Sequence, residues 1–402
     1  MKIHFLLTQD LESPSGLGRY YPLAKELSRL GHTVSISALH SNYTSLQNRS
    51  FTINGIKVRY VAPMHVRKQG NIKSYYSAAP LLYLSMRAAW QLSRAALTIP
   101  ADIIHIGKPH PMNSIAGWAA KYLRGRQVYL DCDDYEAESG HFQGKWQRQG
   151  IQFFEQKAPY FVDFITTNTY FTRARLLNEG ISSEKIVYLS NGVDRDRFTP
   201  VSGETVQSLR RQLGLEGKQV IAFIGSISRP SHPVDLLLES FARLRQSIPG
   251  SVLLLAGGGD ELVHIQRQVE QIGIQHEVLF PGRISPEQVP VYYGLADVAI
   301  DPVLDDGAAR GRSPLKLFES WACGVPFVTC DVGDRGILLG SPAAGLLARP
   351  GDPDSLAERI ACVLTDPSRA NELRRLGFER VQAYYWDHLA KELEAIYLKN
   401  HR

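Results

Sequence analysis

Residues 2–39 read "KIHFLLTQDLESPSGLGRYYPLAKELSRLGHTVSISAL". "KIHFLLTQ" is an apolar run of strand length, and "DLESPSGLGR" is a glycine-rich turn. "YYPLAKELSRLG" carries apolar residues at helical spacing and stops at Gly31, after which "HTVSISAL" resumes as a strand. A strand–loop–helix–strand unit is the building block of a doubly wound parallel sheet. The pattern recurs in "ADIIHIG", the run from Ser114 to Leu123, and "QVYLDCD", then in "FVDFITTN" and "KIVYLSNGVD". From residue 218 the alternation starts afresh. "QVIAFIGS", "SVLLLAGGG", "VLFPGRI", "VAIDP" and "PFVTCD" read as strands, and "PVDLLLESFARLRQ", "PLKLFESWA" and "DSLAERIACVL" as helices.

The reading is an α/β protein of two Rossmann-like halves, 1–200 and 201–378, joined through the polar "RDRFTPVSGETVQ". A last helix over 379–402 can pack back across the first half. A chain of 402 residues also exceeds the size at which one core keeps growing. With 44% hydrophobic and 21% charged residues, the composition is that of a soluble globular protein. Cys132, Cys323, Cys330 and Cys362 have neither a C-x-x-C nor a metal-ligand spacing and suit a reducing compartment. The opening "IHFLL" is too short for a signal-peptide core, and no apolar run is long enough to span a bilayer. A cytoplasmic protein is expected.

Charge is unevenly placed. Residues 1–130 hold 16 Lys and Arg against 4 Asp and Glu, whereas residues 201–402 hold 21 against 25. The basic first half points to an anionic partner. Residues 65–97 add Tyr75, Tyr76 and Trp90 to basic side chains ahead of an amphipathic run. That mixture suits both a helix packed on a sheet and an anionic membrane surface. Nucleic acid is not among the partners expected.

Residues 309–331, "ARGRSPLKLFESWACGVPFVTCD", raise a sharper question. Ser313 reads as an N-cap, Pro314 as the first helical residue and Gly324 as the helix stop, with Leu315, Phe318 and Ala322 on the buried face. Unpaired N–H groups at such a helix start attract phosphate, and Arg310, Arg312 and Lys316 reinforce them. Glu319, three residues after Lys316, is on its own terms a surface ion-pair partner. Two further loops favour a ligand: "GSISRPSHPVD", with Arg229 and His232, and "AGGGDE", where backbone can approach a ligand closely. Loops at the carboxyl ends of parallel strands are where doubly wound folds bind nucleotides.

In the first half, Gly16 and Gly18 follow the first strand, but position 21 is Tyr and "SISALH" has no carboxylate. A nicotinamide-binding fingerprint is therefore absent. Asp131 and Asp133 form a D-x-D, a weak metal signal. His105, Lys108 and His110 lie at another strand end, as a polar wall or a metal pair. "NGVD" at 191–194 reads as a turn.

Together, "FIGSISRPSHPVDLLLESF", "LLLAGGGDE", "VLFPGRISPEQVPVYYGLADVAIDP", "SPLKLFESWACGVPFV" and "GLLARPGDPDSLAERI" resemble the retaining glycosyltransferases of family four. "SGLGRYYPLAKELSRLGHTVSI" and "IVYLSNGVDRDRFTP" match more loosely. The resemblance implies the GT-B fold, two Rossmann-like domains facing a central cleft, with a nucleotide sugar on the second and an acceptor on the first. It implies that Glu319 binds the ribose hydroxyls, and that Arg312, Ser313, Pro314 and Leu315 cradle the diphosphate and sugar. Gly16, Gly225, Ser226, His232, Gly258, Arg283 and Ile284 fall in other donor-binding segments. Asp133 or Asp134 lies near the donor sugar. The family's usual first carboxylate falls at Gly311, and its diphosphate-binding Arg and Lys fall at Ser226 and His232. Arg229 and Lys316 are therefore the expected catalytic cations, and Asp133 completes the expected catalytic set.

The implied reaction moves a sugar from a UDP- or GDP-linked donor to a hydroxyl of a glycan or lipid-linked acceptor, with retention and without metal or cofactor. Cell-surface polysaccharide or glycoconjugate synthesis is the setting it implies. The alternatives are a sugar-nucleotide epimerase, which needs acid/base groups around the sugar, and a non-catalytic binding or scaffold subunit.

Overall fold

The computed structural model describes residues 1–69, 72–140, 142, 144–228 and 232–401; of 68, 69, 72 and 73 it describes the backbone alone. The chain forms two compact units, one of 1–192, 311–313 and 386–402, the other of 193–310 and 314–385.

The first unit is built on strands β1 (Lys2–Leu7), β2 (Thr33–His40), β3 (Ser50–Ile53), β4 (Ile56–Pro63), β7 (Ile103–Gly107), β8 (Gln127–Cys132), β9 (Phe164–Thr167) and β10 (Ile186–Tyr188). A separate antiparallel hairpin pairs β5 (Val66–Gln69) with β6 (Ile72–Tyr75). The sheet order is β10-β9-β8-β7-β1-β2-β4-β3, parallel except for β3 against β4. Helices α1 (Tyr21–Arg29), α2 (Ala78–Thr98), α3 (Pro111–Arg124), α4 (Glu136–Ser139), α5 (Lys145–Phe161) and α6 (Tyr170–Asn178) accompany it. Strand β7 and, after the exposed Lys2, strand β1 are buried and largely apolar, as parallel strands covered on both faces must be. Ala88, Leu92, Ala116 and Ala158 of α2, α3 and α5 pack with one face of the sheet, and Leu23 and Leu27 of α1 with the other.

The second unit carries β11 (Gln219–Ile224), β12 (Ser251–Ala256), β13 (Val278–Gly282), β14 (Val298–Asp301), β15 (Phe327–Cys330) and β16 (Leu346–Ala348), all parallel in the order β13-β12-β11-β14-β15-β16. Its helices are α7 (Gly203–Gln212), α8 (Val234–Ser247), α9 (Leu262–Gln271), α10 (Val289–Gly294), α11 (Gly307–Arg310), α12 (Leu315–Ala322), α13 (Arg335–Leu339), α14 (Pro353–Thr365) and α15 (Pro367–Val381). Two apolar clusters cover the two faces of this sheet. This is the α/β, doubly wound, two-unit architecture of the GT-B fold.

The ends differ from the sequence expectation. The units divide at 192/193 rather than after 200. The terminal segment is two helices, because α15 ends in a 3-10 turn at Gln382–Tyr384 and Tyr385 is extended. Val193 donates its N–H to the Tyr384 carbonyl at 2.9 Å, fixing that break. The second helix, α16 (Trp386–Asn400), belongs to the first unit and buries Trp386, Leu389, Leu393 and Tyr397 beside α1.

Candidate functional site

Strand order places the site. In the second unit the chain winds outward from β11 in both directions, so β11 and β14 flank the point where the order reverses. Ligands of such sheets bind at the carboxyl ends of those two strands. There, Gly225 follows β11 and Asp301 ends β14.

Asp301 is 1% exposed and organises this strand end. Its Oδ1 lies 3.3 Å from Lys316 Nζ and 3.4 Å from His232 Nδ1, and its Oδ2 accepts from Arg335 Nη2 at 3.2 Å. Lys316 Nζ is also 3.1 Å from His232 Nε2. A neutral imidazole protonated at Nδ1 satisfies both contacts, donating to Asp301 and accepting from Lys316. Burial alone would raise the Asp301 carboxyl, but Lys316, the His232 hydrogen bond and Arg335 outweigh it and hold it well below the usual range.

Glycines make room for this group. A Cβ on Gly225 would lie 2.7 Å from Lys316 Cε, so the lysine stem runs along the Gly225 backbone. Its ammonium sits 5.0 Å from the centre of the Phe223 ring. A Cβ on Gly257 would fall 1.8 Å from the Gly225 carbonyl oxygen, and one on Gly259 2.0 Å from that of Ile227. The two strand-end loops therefore lie side by side, with Ile227 N–H donating to Gly258 O at 3.0 Å. Ser226 is half-buried between these contacts.

The next turn of α12 carries Glu319, which accepts a hydrogen bond from Tyr293 at 3.2 Å. Burial raises its carboxyl, against the opposing pull of Arg197, the Tyr293 hydrogen bond and Lys316. Lys316 and Glu319 thus engage different partners, Asp301 with His232 on one side and Tyr293 on the other. The helix start is not as the sequence suggests. α12 begins at Leu315 with Pro314 in the cap position and no side-chain cap, and the buried Ser313 hydroxyl has no partner among the described residues. The buried face is Leu317, Phe318 and Trp321 with Ala322, while Leu315 is half-buried. That is the stripe an i, i+3, i+4, i+7 pattern starting at Pro314 produces. Gly324, with φ of 71°, ends the helix as expected, donating to Trp321 O while Val325 donates to Ser320 O.

Of the remaining expected residues, Arg283 is exposed just past β13, with half-buried Ile284 packed against the core. Arg312 is half-buried in the 311–313 segment that groups with the first unit. Arg229 lies outside the described residues.

The first unit has its own cluster at the carboxyl ends of β7 and β8. Lys108 adopts a left-handed φ of 69°, a conformation that costs a side-chain-bearing residue roughly 1–2 kcal/mol. Its Nζ lies 3.4 Å from Asp133, 2.7 Å from Asp134 and 2.5 Å from Glu136. Glu136 also meets His110 at 2.9 Å. Asp133, Asp134 and Glu136 each bring a carboxylate oxygen within 4.8 Å of the others, a grouping that could hold a cation, and the Lys108 ammonium already lies on all three. Burial, together with Asp134 and Asp131, outweighs Lys108 and pushes Asp133 well above the carboxylate range. Lys108 and His110 hold Glu136 below that range despite its burial.

The D-x-D is split, since Asp131 is taken by a buried bidentate pair with Arg19, at 2.7 Å for both bonds, and by Thr166. His105 does not join His110; its Nδ1 lies 2.5 Å from the Tyr397 hydroxyl, and burial lowers it to about 4. A Cβ on Gly16 would fall 2.1 Å from Asp10 O, so the first loop closes on itself only with glycine there.

Two family models match this chain: Glycosyltransferase Family 4 over residues 16–197 and Glycosyl transferases group 1 over residues 218–366. The chain belongs to the group 1 and family 4 glycosyltransferases. It is 29% identical, over 52% of its length and 54% of the relative's, to a GDP-mannose-dependent alpha-(1-6)-phosphatidylinositol monomannoside mannosyltransferase of Mycolicibacterium smegmatis. The match thus spans only about half of that curated relative. A D-inositol 3-phosphate glycosyltransferase of Corynebacterium urealyticum is 26% identical over 82% of this chain and 74% of its own. In structure the chain resembles the sucrose-phosphate synthase of Thermosynechococcus elongatus (TM-score 0.77, 20% identity, 99% of this chain and 98% of that one). It also resembles Anabaena HepE in complex with UDP and glucose (TM-score 0.76, 17% identity, 99% and 100%).

Asp301, which gathers Lys316, His232 and Arg335 at this strand end, is the candidate residue that the sequence reading passed over. Its one local signal is an acid closing the apolar run of "VAIDP", directly before a proline.

Proposed function

We propose that this family member is a glycosyltransferase that takes a sugar from a UDP- or GDP-linked donor and passes it, with retention, to a hydroxyl of a glycan or lipid-linked acceptor. The observation that carries the reading is the Asp301–Lys316–His232 group at the β11/β14 strand ends, one helical turn before Glu319. The donor diphosphate lies against Lys316, His232 and the backbone of Gly225 and Ser226, and Glu319 accepts from the ribose hydroxyls. As the sugar–phosphate bond breaks, negative charge grows on the leaving diphosphate, and a preorganised ammonium beside it is worth more than one that must first reorient. Asp301 supplies that preorganisation by fixing Lys316 before substrate arrives.

The donor's own phosphate oxygen takes the acceptor proton, so no protein base is assigned and no metal is required. The first unit, basic overall, receives the acceptor near Lys108 and Asp133. The setting is the synthesis of cell-surface polysaccharide or glycoconjugate at the cytoplasmic face of a membrane, with residues 65–97 facing the lipid. The GDP-mannose dependence named for the Mycolicibacterium smegmatis relative and the UDP in the HepE complex support a nucleotide-sugar donor. Incubating the protein with a panel of nucleotide sugars, with and without EDTA, and measuring released nucleoside diphosphate is the test. Release with one donor, undiminished by EDTA, is expected; no release from any donor, with or without acceptor lipids, overturns the catalytic reading.

A further inference from the structure

Helices α2, α3 and α5 have their large and small residues the wrong way round for a surface that meets only water. Against the sheet they bury Ala88, Ala89, Ala95, Ala96, Ala116 and Ala120. On the outside they expose Tyr83 (60%), Met86 (58%) and Trp90 (69%) of α2, and Trp118 (49%) and Leu123 (62%) of α3. Phe153 of α5 is exposed as well (55%). The spacing 82, 83, 86, 90 on α2, 115, 118, 122 on α3 and 146, 153, 160 on α5 gives each helix a second apolar stripe facing away from its core. α3 packs against both α2 and α5, so the stripes lie on neighbouring helices. Scattered exposed apolar residues are ordinary, but exposed apolar stripes gathered on neighbouring helices mark an interaction site.

The charges around the patch choose the partner. α2 and α3 contain no acid at all, while Arg87, Arg94, Lys121 and Arg124 stand among the apolar residues. The one acid of α5, Glu155, is buried against Arg175 at 3.0 Å. Exposed Trp and Tyr interleaved with Arg and Lys, on three helices that themselves expose no acid, match a bilayer of anionic lipid, where the rings enter the headgroup boundary and the cations meet phosphates; at the rim Lys121 is paired with Asp163 and Arg148 with Glu138. Leu82 and Trp146, at the edge of the patch, also line a cavity of about 280 Å³ with Tyr76, Met112 and Phe142. The apolar surface therefore continues inward toward His110 and Glu136.

We propose that the α2–α3–α5 face docks this unit onto an anionic lipid bilayer. The proposal extends the membrane side of the functional reading and does not depend on the donor site. Its test is co-sedimentation with vesicles of mixed phosphatidylglycerol and phosphatidylcholine, compared with phosphatidylcholine alone, at low and high salt. The wild type and two variants are compared, Tyr83→Ser/Trp90→Ser/Trp118→Ser/Leu123→Ser and Arg87→Glu/Arg124→Glu. All six positions are exposed, so both variants should keep the wild-type unfolding midpoint.

Wild type should sediment with the anionic vesicles, release as salt rises, and show a blue shift of tryptophan emission. The apolar variant should bind at least about tenfold more weakly. The charge-reversed variant should lose its preference for phosphatidylglycerol. Failure of wild type to bind anionic vesicles at low salt, or wild-type binding by the apolar variant, overturns the proposal. So does a wild-type dimer that becomes a monomer in the apolar variant while neither binds vesicles, since the face then belongs to a second copy. Nucleotide affinity measured on the same proteins should be equal in all three; its absence from wild type would count against the donor reading and leave this one standing.

Discussion

Asp301→Asn removes one negative charge from beneath three cationic or polar groups without changing the shape of the side chain. Asp301 and Arg335 are each 1% exposed, and Lys316 is 12% exposed, so solvent screens little of what is lost. Removing one partner of a buried ion pair costs about 3–5 kcal/mol. Arg335 keeps its bonds to the carbonyls of Ala309 at 3.1 Å and Val332 at 3.2 Å, and Asn retains one acceptor, which points to the lower end. The expected loss is about 3 kcal/mol at pH 7, read from urea unfolding. The pH dependence gives an independent sign. The folded carboxyl sits well below its usual range, so its contribution is complete above the unfolded value, near about pH 4, and is lost as pH falls through the folded one. The gap between wild type and variant should be constant from neutral pH down to mildly acidic pH and narrow below about pH 4. Because Asp301 positions Lys316 rather than touching substrate, kcat should fall more than nucleotide affinity does. A stability change under about 1 kcal/mol at pH 7 with unchanged kcat, or a gap that widens on acidification, would refute the assigned role.

Glu319→Ala should weaken binding of nucleotide and nucleotide sugar alike, by roughly 1.5–3 kcal/mol for each charged hydrogen bond lost, with calorimetry as the measure. Because burial raises the Glu319 carboxyl, wild-type affinity should also decline on acidification earlier than an ordinary glutamate would require. Lys316→Ala should reduce turnover by about a hundredfold or more while changing nucleotide affinity far less, and Arg229→Ala is the companion variant for the second cation expected from sequence. If both keep wild-type turnover, the diphosphate lies elsewhere. Lys108→Met should cost about 3–5 kcal/mol at pH 7, because it takes from buried Asp133 and Glu136 and half-buried Asp134 the ammonium that lies on all three. Burial and neighbouring acids already raise the Asp133 carboxyl and losing the ammonium raises it further, so the deficit should shrink as pH is lowered toward 5 and grow as it rises, again by urea unfolding.

What the sequence made legible was whatever has a local meaning. The β1–loop–α1–β2 unit, the Gly257–Gly259 run and the Gly324 stop each follow from a few neighbouring residues, because apolar alternation and glycine's freedom act over short distances. What it hid was compensation of charge, which depends on strand order. β14 pairs with β11, not with β13 before it, so Asp301 comes under Lys316 and His232 through a crossover that spacing does not reveal. Lys108 likewise meets acids from the next strand's end, and α5 escaped notice because its large apolar residues point outward. The same non-locality bears on the expectation that Arg310 and Lys316 reinforce the helix start for phosphate. Arg310 is held by both oxygens of Asp305, at 2.7 and 2.9 Å, and Lys316 by Asp301. Arg310 and Lys316 are already matched by carboxylates, so on the proposed reading the loop would hold a diphosphate less by net charge than by an ammonium and backbone N–H groups held in place. A site of that kind binds weakly through charge alone and gains most where charge develops during reaction, which is the distribution expected of a catalyst rather than of a phosphate store.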